Sequence, residues 1–208
     1  FEYFSEDPVV SGKVTAALVN GIQSNGVGAT LKHFAFNNQE TNRGNNNAKM
    51  SDRTAREIYL KGFEIAVKES NPWAIMTSYN RINGVHTAES YPLLEGILRG
   101  EWKFEGAVMT DWGGGKDAVA MVKAGNDLLM PGNARQRQAI IDAVNNGTLD
   151  IADVDRNVKR ILQLVEKSPK FYGYQPTNTP DMKAHAEIAR QSAAEGMVLL
   201  KNDDNVLP

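Results

Sequence analysis

The chain has 208 residues, of which 41% are hydrophobic and 23% charged, enough for the core of at least one domain and unlike a disordered segment. Its 23 Lys and Arg against 25 Asp and Glu give a formal net charge of −2, without a run of like charges, which argues against nucleic-acid and anionic-membrane partners. The chain has no cysteine, so disulfides, thiolate metal sites and cysteine nucleophiles are excluded.

Neither the ends nor the interior of the chain reads as a targeting or membrane segment. The opening FEYFSEDP is acidic and aromatic, unlike a signal peptide, and no apolar stretch approaches the roughly 18 residues that span a bilayer. Because the sequence begins without Met and ends in KNDDNVLP, we expect a fragment of a longer protein.

Short β-prone segments that end in polar residues alternate with helical stretches. The segments are residues 29–34, 73–79, 107–112 and 127–130. This alternation predicts βα units and a parallel sheet.

Two apolar patterns predict helices. Tyr59, Phe63 and Val67 recur at i, i+4 and i+8 behind Ser51 or Asp52 as a candidate N-cap. We expect this helix and a later one to cover the sheet with their apolar faces. The later stripe comprises Val154, Val158, Ile161, Leu162 and Val165.

Turn-prone composition marks one loop and one boundary. The polar run NRGNNN at 42–47 predicts a long loop, and SPKFYGYQPTNTP with its three prolines predicts a linker at 168–180. Beyond it, 181–195 is helical in pattern and 196–201 (GMVLLK) is typical of a buried strand. We therefore expect domains at 1–167 and 181–208, the second incomplete.

Four strands before the linker amount to half of a barrel. A complete eight-stranded βα barrel takes about 250 residues, so the segment is predicted to be its second half. Half a barrel leaves two sheet edges and an unfilled interior, so another segment must complete it or the fragment folds poorly alone.

Polar residues follow the predicted strands, where parallel βα folds carry their working groups. An indole, several donors and one carboxylate suit a neutral sugar. Asp111 is the candidate nucleophile, because a retaining glycosidase needs an ionised carboxylate about 5 Å from a protonated one. The positions are Lys32 and His33, then Ser78, Tyr79 and Asn80, then Asp111 and Trp112, then Met130.

Ordered motifs along nearly the whole chain resemble glycoside hydrolase family three, especially its bacterial β-glucosidases. They are FEYFSEDP, KHFAFNNQETNR, MTSYNRINGVHT, LRGEWKFEGAVMTDW, AGNDLLMPG and EGMVLLKN. The resemblance implies a (β/α)8-like barrel domain, a linker, and an α/β sandwich domain whose first helix and strand lie within 181–201.

The same resemblance implies residue roles. Asp111 of the TDW motif would be the nucleophile. Lys32 and His33 would hydrogen-bond the hydroxyls of the terminal sugar, and Trp112 would line the same subsite. Arg43 closes the NNQETNR motif, and Tyr79 of the SYN motif would lie near the nucleophile.

Some family residues fall outside the chain. The family's early sugar-binding Asp and an Arg would precede Phe1, and its acid/base Glu would follow Pro208. The fragment alone is therefore expected to be inactive and to need the rest of the same enzyme. In addition, three glycines, 113–115, follow Trp112, where relatives often carry a large residue.

The expected function is that of a retaining exo-β-glycosidase, a β-glucosidase first, acting on β-glucosides or oligosaccharides without a cofactor. A β-xylosidase, an N-acetylglucosaminidase and a non-catalytic sugar-binding module remain alternatives. No phosphate-loop pattern is present, and the histidines are too far apart in sequence to suggest a metal site.

Structural roles compete with each site assignment. Asp111 could cap a helix beginning near Lys116, Arg43 could simply pair with a carboxylate, and His33, Tyr79 and Trp112 could be structural. The remaining carboxylates near motifs are expected to act as caps or ion pairs. They are Glu40, Glu89, Asp117 and Asp127.

Overall fold

The structure, a computed structural model, describes residues 3–207. The chain forms two compact units, the first ending at Tyr172 and the second beginning at Gly173. No helix of the described residues is long and apolar enough to cross a membrane.

Three parallel strands form the central sheet of the first unit. The strands in chain order are β1 (Thr30–Phe34), β2 (Asn47–Ala48), β3 (Ala74–Thr77), β4 (Arg81–Ile82), β5 (Val85–His86) and β6 (Ala107–Thr110). The central sheet has the order β1-β3-β6. The fourth predicted strand, 127–130, is reduced to one parallel bridge between Leu128 and Met109, so a full strand there is a wrong prediction.

Helices surround this sheet. In chain order they are α1 (Pro8–Gln23), α2 (Asp52–Thr54), a π-helical turn (Ala55–Tyr59), α3 (Lys61–Ser70), a second π-helical segment (Pro92–Glu101), α4 (Ala118–Lys123), α5 (Ala134–Asn145) and α6 (Ile151–Lys167). The predicted cap is confirmed, because the Ser51 side chain accepts the N–H of Thr54.

The segment 42–47 is more ordered than predicted. It contains a 3-10 turn, Arg43–Asn45, and runs into β2, which pairs with β4 in a small second sheet. Arg81 contributes to this order, because its guanidinium donates to the carbonyl of Asn45 at 2.9 Å. The loop is thus tied to the hairpin that follows β3.

Aromatic packing fixes the middle of the sheet. Phe34, at the end of β1, is fully buried and meets the Phe63 ring edge-on at 5.1 Å and the Trp102 ring at 6.0 Å. Ile75 of β3 and Val108 of β6 are also fully buried and extend this core along the sheet.

The prediction that the α6 stripe covers the sheet is wrong for three of its five residues. Val158, Leu162 and Val165 are 50%, 56% and 47% exposed. The helix docks through Val154, which packs against Val122 and its apolar neighbours, and through its polar side, since the buried Asn157 amide donates to the carbonyl of Val122 at 2.9 Å. Helix α1 has a similar outer stripe of Val10, Val14 and Leu18, each more than 40% exposed.

A buried charged cluster lies at the start of β6. The Asp127 carboxylate accepts from the Val108 amide at 2.8 Å and from the Arg99 guanidinium at 2.7 Å, while Arg160 bridges Asp127 and Glu95. Burial lowers the pKa of Arg99 to about 10 and raises the pKa of Asp127, and each group opposes the other's shift. The cluster joins the second π-helical segment, β6 and α6.

The second unit contains α7 (Met182–Gly196) and a 3-10 turn, Asp203–Asn205. Helix α7 is capped by Asp181, whose carboxylate accepts the Ala184 amide at 2.9 Å. The predicted strand at 196–201 is not formed. Its apolar side chains are exposed, because no strand among the described residues pairs with it.

Candidate active site

Asp111 directly follows β6, at the end where all three strands of the central sheet finish. Its amide donates to the carbonyl of Thr77, the last residue of β3, at 3.3 Å. Its Oδ1 atom accepts the amide of Trp112 at 2.7 Å. It does not cap α4, because Asp117 holds that position.

The imidazole of His33, from β1, faces the other oxygen of this carboxylate. His33 Nε2 lies 3.4 Å from Asp111 Oδ2, and the two side chains are only 11% and 13% exposed. Because β1 and β6 are separated by β3, this contact crosses the sheet end and joins residues 78 positions apart in the sequence. The structure thus brings together two of the strand-end residues singled out in the sequence.

Lys32 precedes His33 in β1 and lines a groove of about 690 Å³ beside the strand. Tyr3, Phe4 and Asn37 lie in the same lining. Asp111 and Trp112 do not line this groove. Lys32 therefore lies at the same strand end as His33 and also lines this groove, whose walls carry both apolar and polar side chains.

Trp112 presents its side chain to solvent while its backbone is held. The indole residue is 64% exposed. Its carbonyl accepts the hydroxyl of Tyr79 at 2.9 Å, and the next amide, Gly113, donates to the carbonyl of Met130 at 2.8 Å. An exposed indole on an anchored backbone is suited to stacking against an apolar ring face.

Tyr79 links Trp112 to Arg43. The Arg43 guanidinium lies 4.7 Å from the centre of the Tyr79 ring, and Arg43 Nη1 also pairs with Glu40 Oε2 at 2.9 Å. The pKa of the Tyr79 phenol is raised, mainly by burial and then by the Asp111 carboxylate, while the charge of Arg43 opposes the rise. Arg43 thus lies over the Tyr79 ring and also has the carboxylate partner that the structural alternative predicted.

Two of the strand-end residues singled out in the sequence are structural. Ser78 is 1% exposed, and its hydroxyl donates to the carbonyl of Ala35. Asn80 is fully buried, and its amide donates to the same carbonyl at 3.2 Å. Both tie the end of β3 to the end of β1, which keeps His33 in register with the residues after β3.

The other carboxylates near motifs make the expected caps and pairs. Glu40 pairs with Arg43, Asp117 caps α4, and Asp127 belongs to the charged cluster. Glu89 accepts backbone amides of the loop after Trp112, a contact that the sequence did not indicate because 27 residues separate the partners. Among the described residues no cluster of His, Asp and Glu side chains could hold a metal ion.

Parallel strands flanked by helices, with a carboxylate and an imidazole at their shared end, define a fragment of an (α/β) barrel of the TIM type. Residues 1–164 match the N-terminal domain of glycosyl hydrolase family 3. The chain belongs to this family.

Relatives with assigned names are similar over the whole chain. An exo-alpha-(1->6)-L-arabinopyranosidase of Bifidobacterium longum is 47% identical over 208 residues, which are 100% of this chain and 27% of the relative. The thermostable beta-glucosidase B of Acetivibrio thermocellus is 45% identical over 213 residues, with 100% of this chain and 27% of the relative covered.

Among solved structures, beta-glucosidase 3B of Thermotoga neapolitana in complex with alpha-D-glucose superposes with a TM-score of 0.93 at 46% identity. The alignment covers 99% of this chain and 30% of that protein. The chain therefore spans less than a third of the length of these relatives.

Proposed function

We propose that the parent protein is a retaining exo-β-glycosidase that releases terminal β-D-glucosyl residues, with Asp111 as the nucleophile. The observation that carries this proposal is the pairing of Asp111 with His33 beside the exposed Trp112, at the end of the parallel strands. A similar protein of known structure binds glucose, and a similar curated protein is a β-glucosidase.

The contacts of the Asp111 carboxylate suit a nucleophile. Its Oδ1 is already engaged by the Trp112 amide, which fixes the plane of the carboxylate. Its Oδ2 faces His33 within a mostly buried site, so this oxygen is aimed and partly shielded from water. Such preorganisation lowers the cost of reaching the geometry of attack.

The neighbouring side chains would bind the sugar. Lys32 and His33 would donate hydrogen bonds to ring hydroxyls, and Trp112 would pack against the C–H face of the sugar. Tyr79 and Arg43 would border the site, since Tyr79 donates to the Trp112 carbonyl and Arg43 covers the Tyr79 ring.

The reaction would proceed by two displacements at the anomeric carbon. Asp111 attacks that carbon and forms a glycosyl ester, while an acid outside this chain protonates the departing oxygen. A water molecule, deprotonated by the same outside group, then cleaves the ester and regenerates the carboxylate.

Replacement of the nucleophile tests the proposal. In the full-length parent enzyme, Asp111→Asn should remove nearly all turnover of an aryl β-glucoside, because the covalent step is lost. Asp155→Asn, at an exposed aspartate of α6, is the matched control. A fluorinated aryl β-glucoside should label the wild type at Asp111, as detected by peptide mass spectrometry.

Two results would contradict the assignment. One is survival of more than about a tenth of the wild-type activity in Asp111→Asn. The other is binding of glucose in calorimetry without any covalent label, which would indicate a sugar-binding module instead of an enzyme.

A second substrate follows from the arabinopyranosidase relative, which matches at 47% identity. Its sugar is also a pyranose, so an indole platform and hydroxyl donors could serve either substrate. Rates on aryl β-D-glucoside and aryl α-L-arabinopyranoside, measured side by side, decide between them.

We also propose the domain division 1–167, 168–180 and 181–208, the first part being barrel and the last the beginning of a second α/β domain. The absence of helix and strand between α6 and α7 supports a linker there. Limited proteolysis of the full-length enzyme should cut within 168–180 first, whereas cleavage inside α6 would contradict the division.

A further inference from the structure

We propose that Glu89 is a positioning residue, which fixes the loop 111–117 and through it the indole of Trp112 toward the sugar. The inference rests on the proposed function. One oxygen of Glu89, Oε1, accepts two backbone N–H groups from this loop, those of Lys116 and Asp117, the latter at 3.0 Å. These two hydrogen bonds hold the end of the loop that leads into α4.

The loop has few other anchors. At its beginning, the Tyr79 hydroxyl donates to the carbonyl of Trp112, Gly113 to the carbonyl of Met130 and Gly114 to the carbonyl of Asp111. Gly113 and Gly115 both have φ of +74°, a left-handed conformation that other residues adopt at a cost. A glycine-rich segment without helix or strand is held mainly by the contacts at its two ends, and Glu89 supplies those at the second end.

The two residues that precede Glu89 are anchored to the sheet. Thr87 and Ala88 are fully buried, and the Thr87 hydroxyl donates to the carbonyl of Ser78 at 2.6 Å. Ser78 directly follows β3, so this hydrogen bond fixes the position of Glu89 relative to the central sheet. The chain of contacts runs from the sheet through Thr87 and Glu89 to the loop of Trp112.

The geometry favours positioning over proton transfer. The Oε1 atom of Glu89 is committed as an acceptor to two backbone amides, whereas a general acid must present a proton to the leaving oxygen of the sugar. The amide oxygen of glutamine can accept the same two bonds, but alanine cannot. This difference makes the two substitutions informative as a pair.

The test compares Glu89→Gln and Glu89→Ala in the full-length enzyme, with Glu166→Ala, at an exposed glutamate of α6, as the control. We expect Glu89→Ala to lower kcat/KM for an aryl β-glucoside by about 10 to 100-fold, mainly through KM, since the indole platform is misplaced. Glu89→Gln should remain within about threefold of the wild type, because one acceptor oxygen is kept. Both variants should keep the shape of the pH–rate profile.

Three results would overturn the inference: equal loss of activity in both variants together with a changed pH profile, which would indicate proton transfer; no loss in Glu89→Ala; or equal loss of melting temperature and activity in both. The fluorinated glycoside label at Asp111 is measured in parallel in the wild type. Absence of that label contradicts the proposed function, and the comparison of Gln with Ala then stands as a separate result on the loop.

Discussion

The two oxygens of the Asp111 carboxylate have different surroundings, and this asymmetry organises the site. One oxygen accepts the neighbouring amide and the other faces His33 at 3.4 Å. An oxygen held by a backbone amide cannot rotate freely, so the second oxygen has a defined direction. His33 can then orient the carboxylate through Nε2 and offer its other ring nitrogen to a sugar hydroxyl.

His33→Ala should lower kcat/KM by about 10 to 100-fold, the range expected when a hydrogen bond to a charged group is lost. Steady-state kinetics on an aryl β-glucoside measures this effect. His86→Ala provides the comparison, because the His86 ring hydrogen-bonds to the backbone carbonyl of Tyr79 at 3.1 Å and its loss should change the rate less. An equal effect of both substitutions would argue against a special role of His33.

Tyr79 offers a finer test of the Trp112 anchor. Tyr79→Phe removes the hydrogen bond to the Trp112 carbonyl but keeps the ring under Arg43, so we expect a loss of about 1 kcal/mol in transition-state stabilisation. Tyr79→Ala should cost more, since the ring contact with Arg43 is also lost. If the two variants have the same kcat/KM, the ring contact contributes nothing.

The motifs led to Asp111, His33, Tyr79 and Trp112 because strand ends in a parallel sheet converge. They did not separate these residues from Ser78 and Asn80, since burial at the same strand end depends on packing against Ala35, a partner distant in sequence. The hydrogen bonds from the loop amides to Glu89 are a tertiary contact between two loops, and the spacing of residues in the sequence does not predict such a contact.

At the level of elements, the contact between α1 and α3 depends on a glycine. A Cβ atom at Gly12 would lie 2.7 Å from Ile65 Cβ and 3.0 Å from the Gly62 carbonyl oxygen, whereas nothing lies within 4 Å of such an atom at Gly21. The two glycines are in the same helix, so they form a matched pair for mutation.

Gly12→Ala should destabilise the protein by about 1 to 3 kcal/mol through overpacking. Gly21→Ala should stabilise it by about 0.5 to 1 kcal/mol, because alanine loses less entropy in a helix. Denaturant midpoints of the two variants and the wild type measure the difference. Shifts of the same sign would refute the close approach of the two helices.

Helix α3 also predicts a pH dependence. Hydrogen bonds from Lys61 and then Lys68, each at 2.7 Å, lower the pKa of Glu64 below its usual value of 4.5, with burial opposing the shift. A carboxylate with a lowered folded-state pKa stabilises the folded state above its unfolded pKa, and the stabilisation disappears as the pH falls through the folded pKa.

Glu64→Gln should therefore lower the denaturant midpoint at pH 7 and approach the wild type as the pH falls through the lowered pKa of Glu64. Glu105→Gln, at an exposed glutamate, should change little at either pH. A difference between Glu64→Gln and the wild type that grows in acid would contradict the direction of the pKa shift.

Periodicity located α3, α6 and α7 and three of the four predicted strands, because it reports which residues are apolar and how they are spaced. It could not report which side of α6 faces the sheet. The helix is docked by Asn157 together with Arg160 of the charged cluster, and polar residues of this kind are normally assigned to the solvent side. The prediction of a strand at 196–201 is wrong for a related reason, since a strand exists only where a partner strand supplies its hydrogen bonds.

On the scale of the whole chain, two apolar stripes lie on helices at opposite ends of the sequence of barrel elements. They are the outer residues of α1 and of α6, each with side chains 42–56% exposed. Exposed stripes of this kind are uncommon on proteins that are complete as monomers. They support the expectation from the sequence that another segment of the parent enzyme completes this half of the barrel.

The isolated chain of 208 residues should consequently hydrolyse no aryl β-glucoside, because the proposed acid and the covering segment lie outside it. Mixing it with the complementary segments of the parent should restore activity, as measured by aryl release. Full activity of the purified chain alone would contradict both the missing acid and the incomplete barrel.

Strand β6 has the charged cluster at its start and the carboxylate of Asp111, the proposed nucleophile, directly after its end. The residues that stabilise the fold are therefore different from those proposed to bind the sugar. Under the proposed function, we expect substitutions around Asp111 to change which sugar is accepted and substitutions around Asp127 to change the stability of the fold. Directed evolution of the parent enzyme could therefore vary sugar preference and stability in separate libraries and then combine the best variants of each.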